Sequence, residues 1–180
     1  MRSLRVFESI SVDGYFCDAR GDISWAHAGR QDPEFAAWVG GNASSGGALL
    51  FGRKTYEMMV SFWPTPMAAQ QMPVVAKGMN AATKYVVSRT LEPTWHNTTA
   101  LRDLAAVRAL KASEGPGIAV LGSGELAAQL GEAGLVDEYQ FVIVPVALGG
   151  GRTVFTTKRD LRLIDQRAFG NGNVVVTYAV

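Results

Sequence analysis

The chain has 180 residues, 48% of them apolar, with 8 Phe, 5 Tyr and 4 Trp, enough for a continuous core and too apolar for a disordered chain. Its 17 lysines and arginines against 16 aspartates and glutamates leave a formal charge of +1, so no broad field attracts nucleic acid or anionic lipid. The single cysteine, Cys17, excludes an internal disulfide framework and a multi-cysteine zinc site, and points to a reducing, cytoplasmic setting. The first residues carry Arg5, Glu8 and Asp13 where a signal peptide would be apolar, and the longest apolar run, 141–148, is far short of the roughly 20 residues of a membrane helix. One domain over residues 1–180 is expected.

Residues 4–10 alternate, with Leu4, Val6, Glu8 and Ile10 on one side and Arg5, Phe7 and Ser9 on the other, which predicts a strand stopped at Asp13-Gly14. Glu8 is then either a buried carboxyl that needs partners or an outward-facing one at a sheet edge. Asp32-Pro33 opens a helix with Phe35, Trp38 and Val39 on one face, and Gly40-Gly41 closes it. A short buried strand, 48–51, ends at Gly52. Behind it Tyr56, Met59, Val60 and Trp63 have helical spacing, cut off by Pro64 and Pro66. Residues 84–88 read as a strand, 101–112 as a helix, 118–121 as a buried strand and 125–133 as a helix. A longer strand, 138–147, is interrupted at Pro145, which favours an edge or a bulge there. Gly170-Asn171-Gly172 joins 161–169 to 173–180 as a hairpin. The order predicts an α/β fold: a three-layer α/β/α domain with a mixed, mostly parallel sheet and a C-terminal antiparallel hairpin.

Three strand ends carry the chemistry. Gly122-Ser123-Gly124-Glu125-Leu126 places two glycines where a strand becomes a helix, either a phosphate-binding turn or a plain tight one. Gly52-Arg53-Lys54-Thr55 puts two cations against a helix macrodipole, which indicates either a bound anion or a solvated basic corner. Ser88-Arg89 adds a hydroxyl and a guanidinium after a third strand. In an open parallel sheet these strand ends share one edge, so all three can converge on one polyphosphate. For an acid the options are Asp13, Glu8 and Asp32: Asp13 is either the proton donor or an Asp-Gly turn residue, Glu8 either a buried carboxyl or an outward-facing one, and Asp32 either an active-site carboxyl or the cap of its helix.

GRKTYE, VVSRTL with Trp95 after it, VLGSGELAAQL, GLVDEYQFVIVPVALGGGRTVF and the early SVDGYF together resemble the dihydrofolate-reductase-like superfamily. Within it the chain is most similar to the reductase domain of the bifunctional riboflavin-biosynthesis deaminase-reductase and its stand-alone relatives. The resemblance implies a central eight-stranded mixed sheet and an NADPH-dependent reductase of a small pyrimidine- or pteridine-like substrate, such as 5-amino-6-(5-phosphoribosylamino)uracil. The alternatives are a non-catalytic NADP(H)-binding module and a dihydrofolate reductase. By position, Gly52, Arg53, Lys54 and Thr55 would hold the pyrophosphate and the 2′-phosphate side, and Ser88 and Arg89 the 2′-phosphate. Gly122, Ser123, Gly124, Glu125 and Leu126 would wrap the pyrophosphate. Val12, Asp13 and Gly14 lie in the loop expected over nicotinamide and substrate, Trp25 could wall the substrate pocket, and Arg152 could take a substrate phosphate. The deaminase half's zinc signature cannot come from one cysteine. Homodimerisation is the family habit, and neither a nucleic-acid nor a membrane partner is expected.

Overall fold

The computed structural model describes residues 1–27, 29, 31–43 and 46–180. The elements run β1 (Leu4–Ser11), β2 (Tyr15–Cys17), a 3-10 turn (Ser24–His27), α1 (Pro33–Ala43), β3 (Ala48–Gly52), α2 (Arg53–Phe62), α3 (Pro66–Gln71), α4 (Pro73–Ala81), β4 (Lys84–Val87) and β5 (Thr98–Leu101). They continue with α5 (Leu104–Ala112), β6 (Ile118–Leu121), α6 (Gly124–Glu132), β7 (Glu138–Val144), β8 (Arg152–Thr153), β9 (Arg162–Ala168) and β10 (Val174–Ala179).

Eight strands form one sheet in the order β5-β4-β3-β6-β1-β7-β10-β9, and β2 pairs antiparallel with β8 in a separate two-stranded sheet. The strands from β5 to β7 are parallel, and β10 runs antiparallel to both β7 and β9. Helices α5 and α6 cover one face, where Val107, Leu126 and Leu130 pack on Leu4, Val6, Val120 and Phe141. The other face carries two clusters, one around Tyr56, Val75 and Met79, and one around Phe35, Val142 and Phe169. The eight-stranded mixed sheet between helical layers is the fold expected.

Several boundaries differ from the sequence reading, each for a physical reason. Helix α1 runs through Gly40 and Gly41 to Ala43; packing on α4 at Val74 outweighs the glycines' poor propensity. Leu101 belongs to β5, and α5 starts later, capped by Asp103, whose carboxylate accepts from Ala106 N. Pro145 marks no edge: β7 lies between β1 and β10 and simply ends at Val144. Glu8 is not outward-facing at an edge either, because β1 lies between β6 and β7.

The region between Pro64 and Lys84, unassigned by pattern, holds α3 and α4. Pro66 and Pro73 open these two helices. Their end is fixed by Lys84, a buried lysine whose Nζ donates to the carbonyls of Met79, Asn80 and Ala82 at 2.7–3.1 Å and sits 4.6 Å over the Trp95 ring. Burial pulls its pKa down to about 8.

Candidate functional site

The strands β4, β3 and β6 are consecutive neighbours and parallel, so their C-terminal ends lie on one edge. The register puts Gly52 beside Val87, one residue before Ser88, and Leu50 beside Val120, two residues before Gly122. The three segments singled out in the sequence are therefore brought together. Along that edge and across the face between the two smaller clusters runs a cleft of about 1240 Å3, larger than the roughly 300–1,000 Å3 that holds one drug-sized ligand. Gly52, Arg53, Lys54, Thr55, residues 122–126 and Arg152 line it, while Ser88 and Arg89 lie one strand further out.

Helices α1, α3 and α5 are capped by Asp32, Thr65 and Asp103, whereas α2, α4 and α6 have no side-chain cap hydrogen bond at Gly52, Met72 and Ser123. All three uncapped starts line the cleft; α4 opens with Pro73, which has no N–H, and α2 and α6 lie together at the strand ends. The first-turn N–H groups of an α-helix have no partner within the helix, so two such sets face the cleft together. Ser123 Oγ ties them by accepting from Gly52 N at 2.8 Å. The turn itself has Gly122 at φ +55° and Ser123 at φ +60°, two left-handed residues in succession, with the Gly122 N–H donated to Phe7 O. A non-glycine residue held there costs on the order of 1–3 kcal/mol, and such strain persists where the surroundings demand the conformation. Gly124 serves packing, since a Cβ there would run into the Phe16 ring.

Arg53 sits at the cleft with Glu57 at 3.0 Å, an exposed pair one helical turn apart that leaves the guanidinium reachable. Ser88 Oγ accepts from Leu91 N, and Arg102, which the sequence reading overlooked, donates to the carbonyls of Ser88, Arg89 and Leu91 and so shapes that loop. No signal in the sequence marks Arg102, because the strand before it, β5, is only four residues long.

The substrate-end candidates are dispersed. Asp13 is exposed; its carboxylate accepts from Leu148 N at 3.1 Å and Gly149 N at 2.7 Å. The Ser11 hydroxyl and these N–H groups hold its pKa down at about 2. Asp32 accepts from Phe35 N at 2.8 Å and caps α1. Val12 is exposed, Gly14 is in its left-handed turn and Trp25 packs beside the Phe35 cluster, none of them on the cleft wall. Arg152 does line the cleft, over the Phe16 ring, with its guanidinium on Cys17 Sγ and on Glu125.

Two polar groups line the cleft from β1 and β7: Glu8, one of the acids the sequence offered, and Gln140, which it did not single out. Glu8 lies in the row Leu4, Val6, Glu8, Ile10 on the α6 face; its Oε1 accepts from Ser9 N at 3.2 Å, and its Oε2 is buried with no hydrogen-bond partner among the described residues. Burial pushes its pKa up to about 8. Gln140, beside Phe7 on the opposite face, donates from Nε2 to Thr177 Oγ1 and buries an unpartnered Oε1.

The fold and this edge define an α/β domain with a nucleotide-sized cleft at the carboxyl ends of parallel strands. The model of the RibD C-terminal domain matches residues 2–175, and the chain belongs to that family. A relative is the "Uncharacterized protein YyaP" of Bacillus subtilis (strain 168), 26% identical over 175 residues, covering 94% of this chain and 90% of that one. Among solved structures, a "Putative riboflavin biosynthesis protein" from Shewanella sp. PV-4 superposes with a TM-score of 0.67 over 98% of both chains at 22% identity, a likeness of fold.

Proposed function

We propose that the protein is an NADPH-dependent reductase of a small, planar, pyrimidine- or pteridine-like compound, working in a reducing, cytoplasmic setting. One observation supports this above the others: two uncapped helix N-termini, joined by the Ser123–Gly52 hydrogen bond, open side by side into a cleft with room for a dinucleotide and a second molecule. The residues fit a phosphorylated dinucleotide by their donors. The Gly122 turn, whose own N–H is spent on Phe7 O, aims the N–H groups of Gly124, Glu125 and Leu126 after Ser123 at a pyrophosphate, with Gly52, Lys54 and Thr55 on its other side. Arg53 and Arg89, with Ser88, suit a 2′-phosphate, because a planar guanidinium matches a phosphate dianion and has no such task with a bare ribose hydroxyl.

Bound NADPH supplies a hydride; the protein's part is to seat the phosphates, hold the reactive end against the acceptor and keep water out. The acceptor side is walled by Phe7, Val39, Leu49 and Met59, which suits a flat ring. Family membership agrees with a reductase.

NADPH at 100 times its dissociation constant should stabilise the protein by about 2.7 kcal/mol and raise Tm, and a pyrimidine and pteridine panel should reveal its oxidation. Arg53→Ala with Arg89→Ala removes two charge-assisted contacts of about 1.5 kcal/mol each, so NADPH should weaken about a hundredfold and NADH about twofold or less. No stabilisation by NADPH or NADP+ would overturn the reductase reading, and equal loss for NADPH and NADH the 2′-phosphate assignment.

A further inference from the structure

We propose that Glu8 is the group at the nicotinamide end of the cleft that distinguishes reduced from oxidised cofactor: as a neutral acid it donates its O–H to the uncharged NADPH head, and once ionised it favours the cationic ring of NADP+. This rests on the reductase reading. The geometry follows from the sheet order. Ser88 and Arg89, assigned to the 2′-phosphate, follow β4; Gly52 to Thr55, assigned to the 2′-phosphate side and the pyrophosphate, follow β3; the pyrophosphate turn follows β6, and the next strand is β1. At about 4.8 Å per strand, β4 to β1 spans roughly 14 Å, so the end of the dinucleotide remote from Arg89 reaches β1.

At that point β6 leaves β1. The last register pair is Phe7 with Leu121, and Gly122 N donates to Phe7 O. Beyond it Ser9 N meets the Glu8 carboxyl in place of a β6 carbonyl, with the other carboxyl oxygen buried, unpartnered and on the cleft floor. A buried carboxyl oxygen with no partner is a standing cost to the fold, which a ligand carbonyl facing a protonated acid would remove. The nicotinamide carboxamide provides such an acceptor.

The titratable groups on the elements packed around this part of β1 are Tyr15 and Cys17 on β2, His27 in the 3-10 turn, Glu125 and Glu132 on α6, Glu138 and Tyr139 on β7 and Arg152 on β8. Arg152 is held by Cys17 and Glu125, and Glu138 by Arg5. Burial is the leading cause of the Glu8 shift, opposed only by the Ser9 N–H.

The test is the dissociation constants of NADPH and NADP+, measured by fluorescence and calorimetry between pH 6.5 and 9.5 on the wild type and Glu8→Gln. For a group titrating near 8, the NADPH constant should rise by up to about tenfold from pH 7 to pH 9 while that of NADP+ falls, so the wild-type ratio should rise by about tenfold to a hundredfold, and in Glu8→Gln it should stay within about twofold. A flat ratio in the wild type, or the same rise in both proteins, overturns the proposal. Should Glu8→Gln fail to fold, calorimetry of the wild type in two buffers of different ionisation enthalpy at pH 8.5 decides it: NADPH binding must take up a proton that NADP+ binding does not. If neither nucleotide binds at pH 7 the reductase reading itself fails; if both bind with a flat ratio, only the role of Glu8 falls.

Discussion

A carboxyl that keeps its proton up to about pH 8 alters how the fold responds to pH, apart from any ligand. The unfolded chain releases the Glu8 proton near its ordinary 4.5, the folded chain near 8. Between those values the folded state binds the extra proton, so this contribution is fully present below 4.5 and is lost as pH rises through 8. Melting temperature of the wild type should therefore fall between pH 5 and 8 relative to Glu8→Gln, at about 2–4 °C per kcal/mol in a chain of this size. Parallel melting curves for the two proteins across that range would show that Glu8 is not buried as a neutral acid. Alternation placed Glu8 on the same side as Leu4 and Val6, yet alternation alone does not say whether a strand is interior or at an edge, so the burial of this carboxyl was beyond the sequence. Gly122, Ser123, Arg53 and Arg89 were legible because glycines and cations at strand ends break local preferences that a plain scaffold would satisfy. Asp32 kept the capping role that its place before Pro33 implied.

At the scale of elements, long periodic segments were readable and proline-rich ones were not. Tyr56, Met59, Val60 and Trp63 mark α2 by spacing, whereas Pro66 reads as a breaker although it, like Pro73, occupies the first turn of a new helix, a place where a proline loses nothing. The four-residue β5 has no alternation long enough to register. The contact between α6 and the small β2–β8 sheet depends on one missing side chain. Gly124 opens α6 directly against Phe16, whose ring lies under the Arg152 guanidinium at 5.6 Å. Gly124→Ala would push the ring out of a well-packed place, and overpacking of this kind costs about 1–3 kcal/mol. Chemical denaturation should show that loss with an unchanged m-value, and Phe16→Ala placed in the same chain should recover part of it by making room. Full additivity of the two losses would mean that Gly124 and Phe16 do not meet.

For the molecule as a whole, the open question of association centres on β9. It forms one end of the eight-stranded sheet, every one of its residues is exposed, and Leu163 and Ile164 are 48% and 42% accessible. An edge of seven residues with free backbone donors and acceptors is a template for another strand, and closed oligomers most often use a twofold. Two copies of β9 paired antiparallel across such an axis would satisfy both edges and cover Leu163 and Ile164 on both chains. The carboxyl ends of β4, β3 and β6 that build the cleft edge lie four or more strands away, and the nearest strand of this sheet that lines the cleft, β7 with Gln140, two strands away, so the cleft would stay open in the pair. Light scattering at micromolar concentration should give twice the chain mass, and Ile164→Lys, which places like charges against each other at the twofold, should halve it while NADPH affinity stays within about twofold. A wild-type monomer would leave β9 a solvated edge guarded only by Arg162, Asp165 and Arg167. A dimer that survives Ile164→Lys would move the axis to another surface.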